Sequence, residues 1–167
     1  MERGALLCKL IRIKHYPPHL DAGTQKRQTR FTFLKQQINS MPNKTIIKPA
    51  KSPAAVGPYN HAVRTGDLLF CAGQIPIEPA TGNLVAGDIK VQTERVLQNV
   101  KAILDDQKLT FAHVVKSTVY LTNLADFAGM NEVYAKYFTA DCPARSTIQV
   151  AALPKGANVE IEVISHF

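Results

Sequence analysis

The sequence predicts an α+β domain, a mixed and mostly antiparallel β-sheet with two helices packed on one face. Three observations predict it. Strand-like and helix-like segments follow one another in the order β-β-β-α-β-α-β-β, which supplies too few helices to cover both faces of a sheet. The last two strand segments alternate apolar with polar side chains, as strands with one buried face do. Of the 167 residues, those from 41 onward suffice for one core that buries roughly two-thirds of its surface without a metal or disulfide.

Each element has its own signal. Thr45-Ile46-Ile47 is a short β-rich segment, and Ser52–Pro58 is too rich in Pro and Gly for regular structure. His61–Thr65 and Leu68–Gln74 are extended runs, and Gly66-Asp67 between them suits a two-residue hairpin turn. The second run is nearly all apolar, as a central strand is. Pro76–Gly87 is a turn-rich connection. Asp88 can cap a helix running to about Gln107, with Val91, Val96, Leu97, Val100, Ile103 and Leu104 as its apolar stripe; Gln92, Glu94, Arg95, Gln98 and Lys101 then face water. Val114–Leu121 is a β-branched strand, and Asn123–Phe138 returns to helical spacing until Pro143 helps end the unit. Arg145–Val150 and Val159–Phe167 are two further strands joined through Leu153-Pro154-Lys155-Gly156.

Along the last strand Val159, Ile161 and Val163 point one way and Glu160 and Glu162 the other; along its companion Ser146, Ile148 and Val150 oppose Arg145, Thr147 and Gln149. One sheet face is core. The other mixes charge with Val114 and Tyr120, which suits a face pressed against another subunit with charged residues lining a cleft there.

The formal charge of +7 is not spread over this domain. Residues 1–40 carry eight basic side chains against two acidic ones, leaving twelve and eleven for residues 41–167. Residues 1–40 therefore read as a poorly structured basic leader ahead of a nearly neutral domain, 41–167. The preferred account places the natural start at Met41. An organellar targeting segment is the minority alternative, since the leader is acid-poor but holds only Ser40 as serine, and a nucleic-acid-binding arm lacks interleaved aromatics. His15 and His19 are four apart, but Pro17 and Pro18 break any helix between them, so no metal site is expected. No apolar run approaches the ~20 residues that span a bilayer, and three widely spaced cysteines form neither a disulfide framework nor a CxxC pair. The expected compartment is the cytoplasm, and membrane and nucleic acid are not expected partners.

Motif searches exclude several chemistries. No Gly-rich phosphate loop precedes a helix, no Gly-x-Ser-x-Gly elbow is present, and no His/Cys/Asp cluster has metal-ligand spacing. Arg145 and Glu160 remain. An arginine in a cleft holds a planar carboxylate through two parallel hydrogen bonds, and a carboxylate nearby orients a water. Together they suit hydrolysis of a small anionic substrate, in which Glu160 stays ionised beside Arg145. Pairing of the two across strands is the plain alternative, and spacing alone leaves both open. Likewise Tyr59 can be a packed aromatic, Asn131 a solvated helix residue, and Cys71 a small buried hydrophobe.

Gly57-Pro58-Tyr59, Ala72-Gly73-Gln74-Ile75-Pro76, Asn99-Val100-Lys101-Ala102-Ile103, Asp126-Phe127 with Asn131, Pro143-Ala144-Arg145-Ser146, and Leu153-Pro154-Lys155 followed by Val159-Glu160-Ile161-Glu162 resemble the RidA (YjgF, reactive intermediate deaminase) family in order, from about Met41 to Phe167. The resemblance implies a chorismate-mutase-like fold, a homotrimer with clefts between subunits, and hydrolysis of 2-iminobutanoate and 2-iminopropanoate to 2-oxo acids and ammonia. It implies no cofactor. Arg145 is then the carboxylate binder and Glu160 the residue that positions water, with Tyr59, Gly73, Asn131 and Thr147 lining the pocket. Thr147 stands where the family often has cysteine and Ala72 where it often has serine. The family also implies two alternatives, an endoribonuclease or translation inhibitor and a non-catalytic chaperone-like module.

Overall fold

The computed structural model describes residues 44–50, 52–53 and 57–167, which belong to one compact unit, Pro42–Phe167. The leader expected over residues 1–40 lies outside the described residues. Six strands form one sheet: β1 (Lys44–Ile47), β2 (Ala62–Thr65), β3 (Leu68–Gln74), β4 (Val114–Leu121), β5 (Ala144–Gln149) and β6 (Val159–His166). Their spatial order is β1-β2-β3-β6-β4-β5. All neighbours pair antiparallel except β4 and β5, which run parallel because helix α2 (Phe127–Tyr137) carries the chain back between them. The mixed α+β architecture is as the element order predicts.

Local chemistry accounts for the element boundaries. Thr65 pairs with Leu68 across the Gly66-Asp67 turn, where Gly66 takes a φ of +56° that favours glycine. Helix α1 (Ile89–Asp106) starts where Asp88 accepts a hydrogen bond from the Val91 N–H, 3.0 Å away. Asn123 makes a shorter cap: its side chain accepts from Ala125 N and turns Leu124–Asp126 into a 3₁₀ turn before α2 begins at Phe127, so the expected continuous helix Asn123–Phe138 is split.

Both helices cover the same sheet face. Val96, Leu97, Val100, Ile103 and Leu104 of α1, with Met130, Val133 and Tyr134 of α2, bury against Leu69, Cys71, Val119, Leu121, Val159, Ile161 and Val163. The apolar stripe of α1 is shifted from its expected phase. Val91 is exposed and Gln92 is buried, because the Gln92 amide accepts from Asn158 N and donates to the Gly87 carbonyl, tying two loops to the helix start. Val114, expected on the open face, is buried instead; a register shift between Val114 and Lys116 turns Val115 outward in its place. On the opposite face Ile46, Phe70 and Ile148 are exposed, 40–46% accessible, an apolar surface that the two described helices do not cover.

Candidate active site

The register of the sheet decides which side chains can meet. Along β6, Val159, Ile161 and Val163 face the helices, so Glu160 and Glu162 face the open side. In β4 their partners follow suit: Ser117, Val119 and Leu121 pair with the buried set, Thr118 and Tyr120 with the glutamates. The parallel ladder then sets Ser117 beside Arg145, Val119 beside Thr147 and Leu121 beside Gln149. Arg145 and Thr147 therefore lie on the helix side of the sheet and Glu160 on the open side. β5 and β6 are also not neighbours, since β4 runs between them. The expectation that Arg145 and Glu160 converge from neighbouring strands is thus corrected: in one chain they occupy opposite faces, on strands two spacings or ~10 Å apart, with their β4 partners Ser117 and Tyr120 three residues apart along the strand.

The six expected residues form two groups of three. On the open side a cavity of about 440 Å³ is lined by Tyr59, Ala72, Gly73, Ile75, Pro154 and Glu160, with Gly57 at its border. Gly73 lies in a bulge, because Cys71 pairs with Val163 and Gln74 with Ile161, leaving one extra residue in β3. That bulge brings the backbone under the carboxylate of Glu160, so closely that a Cβ at position 73 would collide with Oε1 and lie 2.7 Å from Cδ. Asn99 secures the next stretch of the wall: its buried amide donates to the Ile75 and Ile77 carbonyls at 3.1 and 2.9 Å.

The electrostatics of this cavity differ from expectation. Burial pushes the Glu160 carboxyl above the usual carboxylate range, and the neighbouring Glu162 charge adds to the rise. Glu162 accepts a hydrogen bond from Tyr120 OH at 3.1 Å. The chain's own arginine does not offset these effects, so the ionised Glu160–Arg145 couple expected from the sequence is absent within one chain.

On the helix side, Arg145 sits at the edge strand with its Cζ 4.5 Å from the Tyr134 ring centroid and 5.6 Å from that of Phe127. Asn131 is four residues after Phe127 and three before Tyr134, hence on the same helix face. Thr147, two residues from Arg145, has a buried hydroxyl oxygen that lacks a hydrogen-bond partner. Among the described residues no carboxylate pairs with Arg145. The sequence reading missed the aromatic partners of Arg145, although the seven-residue spacing of Phe127 and Tyr134 signals one helix face. It also missed Ile75 and Pro154 as cavity walls. Cys71 is buried, its thiol pushed up to about 12 by desolvation, and behaves as a core residue.

The family model described as Endoribonuclease L-PSP matches residues 49–167. The chain belongs to the RidA/YjgF family. Within that family it is 50% identical over 123 residues to a RutC family protein of Pyrococcus abyssi, covering 74% of this chain and 97% of that one. It is 45% identical over 120 residues to the 2-iminobutanoate/2-iminopropanoate deaminase of Capra hircus, covering 72% and 88%. The solved structure of TdcF from E. coli with bound serine is 43% identical, with a TM-score of 0.70 over 74% of this chain and 98% of that one. These relatives make the chain a member of a family that includes deaminases. No described helix of this RidA/YjgF chain is long and apolar enough to cross a membrane.

Proposed function

We propose that the chain hydrolyses 2-iminobutanoate and 2-iminopropanoate to 2-oxo acids and ammonia in clefts between the subunits of a homotrimer. Arg145, Asn131 and Thr147 of one copy face Glu160, Gly73 and Tyr59 of the next. The observation that carries this reading is that, among the described residues, each group lacks what the other offers: one has a cation whose donors no carboxylate occupies, and the other a carboxylate in a cavity that no described cation lines. The bare apolar face of the sheet, including Phe70 and Ile148, supports burial against a second copy. The deaminase relative and the serine-bound neighbour support a small amino-acid-derived substrate.

In the proposed cleft the Arg145 guanidinium holds the substrate carboxylate through two N–H groups. Glu160 takes a proton from water as the water oxygen bonds to C2 of the protonated imine. The resulting carbinolamine receives that proton on nitrogen, the C–N bond breaks, and the departing ammonia takes the hydroxyl proton, leaving the 2-oxo acid and ammonium. Burial and Glu162 raise this carboxyl's affinity for protons in the single chain, and a facing guanidinium favours its ionised form, which accepts the proton from water. Imines also hydrolyse unaided, so acid–base assistance of about 10²–10⁴-fold is a sufficient contribution.

Adding the purified chain to a threonine dehydratase reaction is expected to speed release of the 2-oxo acid, and Arg145→Ala is expected to abolish the effect. Equal rates with and without the protein would refute the proposal. The Endoribonuclease L-PSP description favours a second reading, RNA cleavage. RNA cleavage that survives Arg145→Ala, with no imine hydrolysis, would replace the first reading by the second. The compartment we propose is the cytoplasm; cell fractionation that finds the native protein inside an organelle would favour import instead.

A further inference from the structure

The Arg145 side chain has an unusual setting for a half-buried cation. Among the described residues neither an ion pair nor a hydrogen bond takes up its N–H groups, yet it is held between β5 and α2 by aromatic rings. A ring face attracts a cation through its quadrupole and uses none of its donors, which all lie in the guanidinium plane. A carboxylate partner would occupy the same donors that a substrate carboxylate needs.

Tyr134 is the closer ring, and it is fixed from two further sides. Its hydroxyl shares a buried 2.7 Å hydrogen bond with Ser117 Oγ, and Ser117 is the residue paired with Arg145 in the sheet. Phe138 stacks on it with centroids 4.2 Å apart and planes 21° apart. A ring stacked at that distance fills one face, so Arg145, 4.5 Å from the same centroid, occupies the other. Phe138 in turn meets Phe111 edge to face at 5.0 Å, which joins the stack to the core. Burial raises the Tyr134 phenol pKa, while Ser117 and Arg145 pull it down, as expected for a cation at the ring.

We propose that Tyr134, locked by Ser117 and Phe138, is a positioning residue that holds the Arg145 guanidinium by its face and leaves its N–H edge open to a substrate carboxylate, with Phe127 as a weaker second support. This inference rests on the proposed function of the same site. It makes the Phe138–Tyr134–Arg145 stack the route by which the rigid core aims an otherwise flexible cation.

Titration calorimetry with 2-oxobutanoate, an unreactive carboxylate of the product class, tests it on the full chain. Tyr134→Phe keeps the ring and its stack on Phe138 but loses the Ser117 hydrogen bond, and is expected to bind more weakly than wild type and more tightly than Tyr134→Leu. Tyr134→Leu removes the ring and is expected to bind about three- to tenfold more weakly, the range a cation–π contact supplies. In an Arg145→Lys background, which keeps a cation for the carboxylate but lacks the planar guanidinium that lies on the ring, the same Tyr134→Leu change is expected to have little further effect, which a general packing defect would not reproduce. If Tyr134→Leu does not fold, Phe127→Leu, at an exposed position, is expected to weaken binding by about twofold, again only when Arg145 is present. Unchanged binding by the folded leucine variants, or an equal loss with and without Arg145, would overturn the positioning role alone. Absence of 2-oxobutanoate binding by the wild type would overturn the proposed function and this inference together.

Discussion

Gly73 and Glu160 show how one missing side chain can make room for a carboxylate, the one proposed above to activate water. The carboxylate rests where the Cβ of any other residue would stand, so Gly73→Ala is expected to swing Glu160 away while leaving the fold intact. Because the displaced atoms are the end of a flexible chain, stability changes little and hydrolysis falls by at least about tenfold, within the range of lost general-base assistance. Activity and thermal unfolding measured on the same preparation check this. Glu162 acts on the same carboxyl through charge: it raises the Glu160 pKa, and the basic form is the one that activates water. Glu162→Gln removes that contribution and lowers the pKa. Activity is then retained to lower pH, and the acid limb of the pH–rate profile moves toward acid. A limb that stays in place or moves toward neutrality contradicts the assignment.

The elements of this fold were largely legible in the sequence. Leu68–Gln74 and Val114–Leu121 are strands over their full expected lengths because each is rich in apolar and β-branched residues between turn residues. The departures within α1 share a physical cause, polar side chains that satisfy backbone groups from other parts of the chain. Gln92 enters the helix core face for two loop partners and displaces Val91 outward, which a hydrophobic pattern does not anticipate. Asn99 is buried for the same reason, serving the Ile75 and Ile77 carbonyls. Asn99→Ala leaves both carbonyls buried without their donor and is expected to cost about 1–3 kcal/mol of stability, readable by denaturant unfolding. A cost near zero would mean that these carbonyls find water.

At the scale of the whole molecule the sheet separates the two halves of the candidate site, and this separation has a measurable consequence. Arg145→Ala and Glu160→Gln chains are each expected to be inactive. Unfolded together in equal amounts and refolded, they form mixed assemblies in which about one cleft in four draws an intact arginine from one copy and an intact glutamate from the next, by random association around a closed ring. About a quarter of wild-type activity is therefore expected. A site contained in one chain would recover none, because neither variant carries both residues.

By itself the sequence determined the order and type of the elements, the family to which the domain belongs, and the residue types available for chemistry, since these follow from local periodicity, turn residues and motifs. It could not determine that Arg145 faces the helices while Glu160 faces away. Alternation assigns sides within a strand, but the sides of two strands are related only through the ladder between them. Here that ladder runs through β4, with parallel pairing on one flank and antiparallel pairing on the other. Only the tertiary structure decided that register, and with it that Arg145 and Glu160 do not meet within one chain.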